Sequence, residues 1–101
     1  MMYLACLQIH LRLSACSSLK EKRGVIKPII ARFQHQFGAS AAEITFQDKW
    51  KDCLIGSSVV SNDALHAQQI VHNMLADCET FWPNVTILSH QIDLIELPYE
   101  K

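Results

Sequence analysis

Glycine and proline are scarce in this chain, three of each in 101 residues. The glycines stand at 24, 38 and 56, too far apart for a P-loop or a glycine fingerprint for a dinucleotide. The same scarcity argues against a low-complexity chain and predicts an ordered globule. A run of about 18 consecutive apolar residues is also missing, so no transmembrane helix is expected. The N-terminal stretch is apolar but is interrupted by Gln8, His10 and Arg12. It has no basic leader, which argues against a signal peptide. The four cysteines, Cys6, Cys16, Cys53 and Cys78, show none of the short spacings of zinc or redox motifs. Free thiols fit a reducing compartment, so a cytoplasmic protein is expected. His35, His66, His72 and His90 are scattered, and no metal site is expected. Neither a nucleophile elbow nor a His-Glu-x-x-His run occurs. Asp48 and Asp52 read as solvated turn residues. The expectation is a protein without catalysis and without a cofactor.

What is present is a chain that is 50% hydrophobic, enough for one domain spanning 1–101 with a single core. Residues 3–13 alternate, with Tyr3, Ala5, Leu7, Ile9, Leu11 and Leu13 on one face, as in a half-buried strand. A helix is predicted from Leu19 to Phe37, with a stripe of Leu19, Ile26, Ile29, Ile30, Phe33 and Phe37. Pro28 should bend it and Gly38 should end it. Residues 40–47 read as a second strand, with Ala42, Ile44 and Phe46 on one face and Glu43, Thr45 and Gln47 on the other. Residues 53–60 form a third strand, apolar on both faces and therefore central. Asn62 or Asp63 can cap a second helix that runs to Phe81 with a stripe of Leu65, Ile70, Met74, Leu75 and Cys78. Residues 85–97 form the last strand, with a bulge near Ile87 and Leu88. This order predicts an α+β fold: a ferredoxin-like split βαβ sandwich (βαββαβ), a four-stranded antiparallel sheet with two helices on one face.

Charge is distributed unevenly. Residues 1–51 hold eight Lys/Arg against three Asp/Glu, while residues 52–101 hold one Lys against seven Asp/Glu. A local basic surface follows, although the net charge is only −1. Its densest part is Ser18, Leu19, Lys20, Glu21, Lys22 and Arg23. Ser18 and Glu21 read as a capping box, in which Glu21 reaches back to the amide of Ser18. Cations at a helix start oppose the dipole, so their presence hints at a bound anion such as phosphate. The topology brings this start to the pole that holds the hairpin after the second strand. The candidate site is therefore Ser18, Lys20, Lys22, Arg23, Gln47, Asp48, Lys49, Trp50 and Lys51, with Arg12 and Trp82 nearby. Basic residues interleaved with an aromatic ring suit a phosphate backbone with stackable bases. The third strand has no aromatic residue, which excludes base stacking on the sheet in the manner of an RNA-recognition motif. Leu4, Cys6, Leu54 and Val60 could instead form an apolar patch there, for self-association.

Several fixed spacings coincide: Ser18 to Arg23, Phe37, Ala42-Glu43, Gln47-Asp48, Trp50, Gly56, Val60 and Asn62-Asp63. In these the chain resembles the YlxP-like family, known as domain of unknown function 503. Departures are Gly38, Phe46 and Ser57, where the family commonly has Asn, His and an apolar residue. The resemblance implies a ferredoxin-like fold and no established activity. Members are often encoded beside translation-initiation and ribosome-maturation genes, which implies an RNA or ribosome partner by association only. The leading expectation is a small cytoplasmic protein that binds RNA or the ribosome through the basic pole, does not associate with membranes and forms a homodimer. The alternative is a non-catalytic oligomeric module binding a small anionic ligand.

Overall fold

The alternating N-terminal segment is realised as β1 (Met2–Arg12), followed by α1 (Leu19–Phe37), β2 (Ser40–Thr45), β3 (Asp52–Ser61), α2 (Ala64–Phe81) and β4 (Thr86–Leu97). These elements come from a computed structural model that describes residues 1–99; Glu100 and Lys101 lie outside the described residues. The sheet order is β2-β3-β1-β4, and every neighbouring pair is antiparallel. β1 and β3 are therefore central and β2 and β4 are edges, which is the ferredoxin-like α+β arrangement.

One face of the sheet carries the core. Ala5, Leu7, Ile9 and Leu11 of β1 and Cys53, Ile55 and Val59 of β3 meet Ile26, Ile29 and Phe33 of α1 and Val71, Met74 and Cys78 of α2. Each large apolar side chain taken fully from water contributes about 1.5–3 kcal/mol. The Ser18 hydroxyl caps α1 by accepting the Glu21 N–H at 3.1 Å. At the other end Gly38 takes a left-handed φ of +65°, and the Gly38 and Ala39 amides both donate to the Phe33 carbonyl. α1 runs unbroken through Pro28, because Pro28 and Gly24 both lie on the exposed side. The Gly24 carbonyl that loses its partner there can turn to water. Asp63 caps α2 by accepting the His66 N–H at 3.1 Å.

Two strips face differently from the sequence expectation. In α2 the buried stripe is Ala67, Val71, Met74 and Cys78, whereas Leu65 is 63% exposed. The stripe centres on Ala67 and Val71, and Ile70 and Leu75 pack partly buried beside it. In β2 the apolar alternation points away from the core. Ala42 pairs with Gly56, Glu43 pairs with core-facing Ile55, and Ile44 remains 54% exposed. Glu43 thus turns towards α1, while Ile44 lies across Gly56. A Cβ at residue 56 would stand only 2.8 Å from Ile44 Cγ1, so glycine lets the edge strand close over the sheet there. The predicted bulge is present. His10 pairs with Ser89 but Leu11 pairs with Ile87, which leaves Leu88 extra.

Candidate nucleic-acid interface

The loop after β1, the start of α1 and the β2–β3 hairpin meet at one end of the sheet. Leu13 N–H donates to the Lys51 carbonyl at 2.8 Å, and the Lys51 ammonium donates to the Ser14 carbonyl at 2.6 Å. The turn after α2 joins them, since Asn84 lines a cleft with Leu13, Cys16 and Glu21.

Glu21 does not complete the capping box in the predicted way. Its carboxylate accepts the Ser17 N–H and the Ser17 hydroxyl, each at 3.0 Å. These bonds hold its carboxyl below the usual carboxylate range, with the Ser17 backbone N–H the larger cause. The chain therefore supplies a negative charge of its own at the positive end of α1.

Lys22 has a role that its neighbours in the sequence do not share. It is 2% exposed, with its ammonium 2.8 Å from Glu43 Oε2 and donating to the Phe46 carbonyl. A phosphate in solvent cannot reach it, so its assignment as a surface phosphate contact is corrected to an anchor between α1 and the hairpin. The anchored carbonyl belongs to a strained residue. Phe46 has φ +69°, a left-handed conformation rare for a bulky side chain. Its carbonyl also accepts the Lys49 N–H at 2.9 Å, and its ring stacks on His10 at 5.1 Å. Glu43 Oε2 is buried yet receives no hydrogen bond of ordinary geometry, so the contact with Lys22 is an ion pair without good hydrogen-bond alignment. Below it the Cys53 thiol is pushed up to about 12, by burial first and by the Glu43 charge second, and stays protonated.

Asp52 holds two more groups. It accepts from Arg12 at 2.9 Å and lies 3.0 Å from His10 Nε2. Arg12 is therefore engaged, as is Lys51. Lys20, Arg23 and Lys49 are exposed and have no ion-pair partner among the described residues. Gln47 and Asp48 are exposed in the hairpin, and the Gln47 amide donates to the Ile44 carbonyl at 3.2 Å. Trp50, flanked by Lys49 and Lys51, is 51% exposed and is not packed into a satellite core. Trp82 is half-buried, packed against the core and beside Phe81.

Sequence reasoning passed over three residues of this region: Lys27, Glu43 and Phe46. Lys27 and Arg23 rim a groove between α1 and β2 whose walls are Leu19, Ile26 and Ile30, and Glu43 faces it. A signal for Lys22 and Glu43 existed. Residue 22 lies on the same helical stripe as residues 26, 29 and 33, where a cation requires an inward partner.

On the uncovered sheet face one apolar group lies at the end away from this pole, and Ile44 over Gly56 adds an exposed apolar side chain on edge strand β2. Leu4 pairs with both Val60 and Ile95, and Met2 pairs with Leu97. Leu54 instead pairs with His10, so the expected grouping of Leu4, Leu54 and Val60 is corrected: Leu54 lies six residues along β3 from Val60. Among the described residues, no three His, Cys, Asp or Glu side chains are grouped to hold a metal ion, and no helix is long and apolar enough to cross a membrane.

Comparison with known proteins agrees with the fold and gives no activity. Two solved structures share the architecture. The de novo designed protein Foldit4 has a TM-score of 0.59 at 10% identity, covering 97% of this chain and 100% of that one. A point mutant of SnoaB, a cofactor-independent oxygenase from Streptomyces nogalater, has a TM-score of 0.50 at 12% identity, covering 97% and 95%. At such identities the likeness concerns fold alone. In sequence, the uncharacterized protein YlxP of Bacillus subtilis (strain 168) is 38% identical over 64 residues, which is 63% of this chain and 70% of that protein. The profile described as "Protein of unknown function (DUF503)" matches residues 4–92, and on that match the chain belongs to the DUF503 family.

Proposed function

We propose that this protein is a non-catalytic cytoplasmic RNA-binding protein, with ribosomal or ribosome-associated RNA as its partner. Lys20, Arg23 and Lys49 contact phosphates, and Trp50 stacks on an unpaired base. The observation that carries this reading is Trp50: a large ring, half in solvent, set between Lys49 and Lys51 in the hairpin and lining a shallow surface cleft with Arg12. Stacking of a base on such a ring is worth about 1–3 kcal/mol and tolerates any sequence. Exposed cations add an affinity that falls with salt. Ser18, Lys22 and Lys51 support the site by capping α1, anchoring the hairpin and tying it to the loop after β1. Gln47 and Asp48 shape the turn that presents Trp50.

The test is filter binding of a single-stranded oligoribonucleotide across a range of salt concentrations. A steep salt dependence is expected, reduced by about one unit of slope when Arg23 becomes Ala. No binding, or a slope unchanged by Arg23→Ala in a normally folded variant, would reject the reading. A shallow slope together with saturable binding of inorganic phosphate would favour the small-anion module instead.

We also propose that two copies associate through the apolar end of the open sheet face. Val60 is 63% exposed there, beside Leu4 and Ile95. This end lies about 26 Å along β1 from Arg12, which leaves the basic pole free. Light scattering should show a dimer that Val60→Glu converts to a monomer. A wild-type monomer at tens of micromolar would contradict the proposal.

A further inference from the structure

We infer that the outer edge of β2 is a docking site for an extended acidic peptide of a protein partner, which joins the four-stranded sheet as a further strand beside α1. This goes beyond the RNA reading and shares only Arg23 with it.

The edge is open at particular backbone groups. In an antiparallel pair, opposed residues alternate between those that exchange two hydrogen bonds and those that exchange none. Leu13 N–H donates to the Lys51 carbonyl at 2.8 Å, and the Ser57 hydroxyl donates to the Leu7 carbonyl at 3.3 Å. The β1–β3 register is unbroken between these points. Residues 51, 53, 55 and 57 therefore turn their backbone groups towards β1 and away from β2. Ala41 stands opposite Ser57, and Glu43 stands opposite Ile55. Their N–H groups and the Ala41 carbonyl thus point out of the sheet. The Gln34 side chain agrees with this, since its amide reaches across from α1 and donates to the Ala41 carbonyl at 3.3 Å. That bond is long, and a peptide N–H can replace it. An edge strand with such groups is a template for another strand.

Beside the edge, α1 supplies a wall. Leu19, Arg23, Lys27 and Ile30 follow at spacings of three and four and, with Ile26, line a groove of about 260 Å³ against β2. A strand laid along Ala41 and Glu43 turns alternate side chains into this groove. Leu19, Ile26 and Ile30 accept an apolar one. Arg23 and Lys27, on the rim, have no ion-pair partner among the described residues. They are one helical turn apart, about 6 Å, close to the roughly 7 Å between alternate side chains of a strand. The acid of the groove, Glu43, is neutralised by Lys22 at 2.8 Å, so the rim sets the sign. An acidic segment complements it. A second copy of β2 would bring a second Arg23 and Lys27 and be repelled. Strand addition of this kind draws affinity from the main chain and specificity from alternate side chains.

The test uses the end-blocked heptapeptide Thr-Glu-Thr-Glu-Thr-Val-Thr, titrated into the full chain while amide hydrogen exchange is followed by NMR. Added antiparallel to β2, it sets its glutamates beside Arg23 and Lys27 and its valine beside Ile30. Exchange at Ala41 and Glu43 should be fast in the free chain and slow at saturation, while Ala42, opposite Gly56, should not change. The groove-facing residues are also those whose N–H groups face β2. N-methylation of the second glutamate and the valine should therefore weaken binding about tenfold, as expected for lost ladder bonds. N-methylation of the two central threonines should have no effect. Lys27→Glu should weaken the unmethylated peptide about fivefold at low salt. Equal weakening by both methylated sets, or by neither, would mean attraction by charge alone and overturn the inference. Slow exchange at Ala41 and Glu43 before peptide is added would mean that a second copy covers the edge, and would also overturn it. So would failure of the unmethylated peptide to bind.

Discussion

The two helices lie on the same sheet and use opposite means to stay there. α2 contains no Lys or Arg, and Ala67, Val71, Met74 and Cys78 are fully buried. It packs over the central strands β1 and β3. α1 holds five Lys and Arg, packs chiefly on edge strand β2, and includes Lys22 among its buried positions. An apolar seam closes completely. A seam held partly by an ion pair stays open beside it, as the groove at Glu43 shows. The helices join through Arg32, whose Nε and Nη2 donate to the two carboxylate oxygens of Asp77 and whose guanidinium lies 3.9 Å over the Phe81 ring. One helix thus closes the fold while the other carries the charges, the groove and the contact with the hairpin.

The strongest way to break this contrast is to open the sealed side. Met74→Ala should cost about 2–5 kcal/mol in denaturant unfolding, because it leaves a cavity under α2. It should not alter the salt dependence of RNA binding.

A smaller loss is expected at the anchor. Lys22→Ala should cost about 2 kcal/mol, less than the roughly 3–5 kcal/mol of a fully buried pair, because Glu43 is partly solvated. Replacing both partners, Lys22→Met with Glu43→Leu, should recover most of the loss. Arg23→Ala, one residue along, should leave unfolding nearly unchanged and reduce only the salt slope. Equal effects of the Lys22 and Arg23 changes on stability would remove the distinction drawn between them.

The smallest effect concerns pH. The Glu21 carboxyl titrates below its ordinary value of 4.5, so its contribution to stability is full above that value. It is lost as pH falls through the lower folded value, because the unfolded chain takes up this proton first. Glu21→Gln should flatten that part of an acid unfolding curve. An unchanged curve would mean that the Ser17 contacts contribute nothing.

These contrasts also show what the chain discloses in advance. Strand order, the two edges and the meeting of α1 with the hairpin were legible, because alternation and crossover handedness leave few arrangements. The facing of β2 was not. Ala42 and Ile44 have the pattern of a core strip, but Lys22 draws Glu43 inward and turns them outward. Lys22 itself looked like Lys20 and Arg23 in a run of cations. Only its place on the apolar stripe distinguished it, and burial there depended on a partner 21 residues away. The Glu21 contact shifted by one residue, from Ser18 to Ser17, a local choice that pattern does not encode. The left-handed Phe46 gave no sign, since neither glycine nor asparagine marks that turn.

The most direct measurement of the central claim is tryptophan fluorescence. In a Trp82→Phe background Trp50 becomes the sole tryptophan, and it sits on the proposed contact surface. Titration with a single-stranded oligoribonucleotide should quench its emission saturably, at a midpoint that rises with salt and rises further when Arg23 becomes Ala. Emission that does not change while the strand is shown to bind by filter assay would place the contact elsewhere and contradict the account.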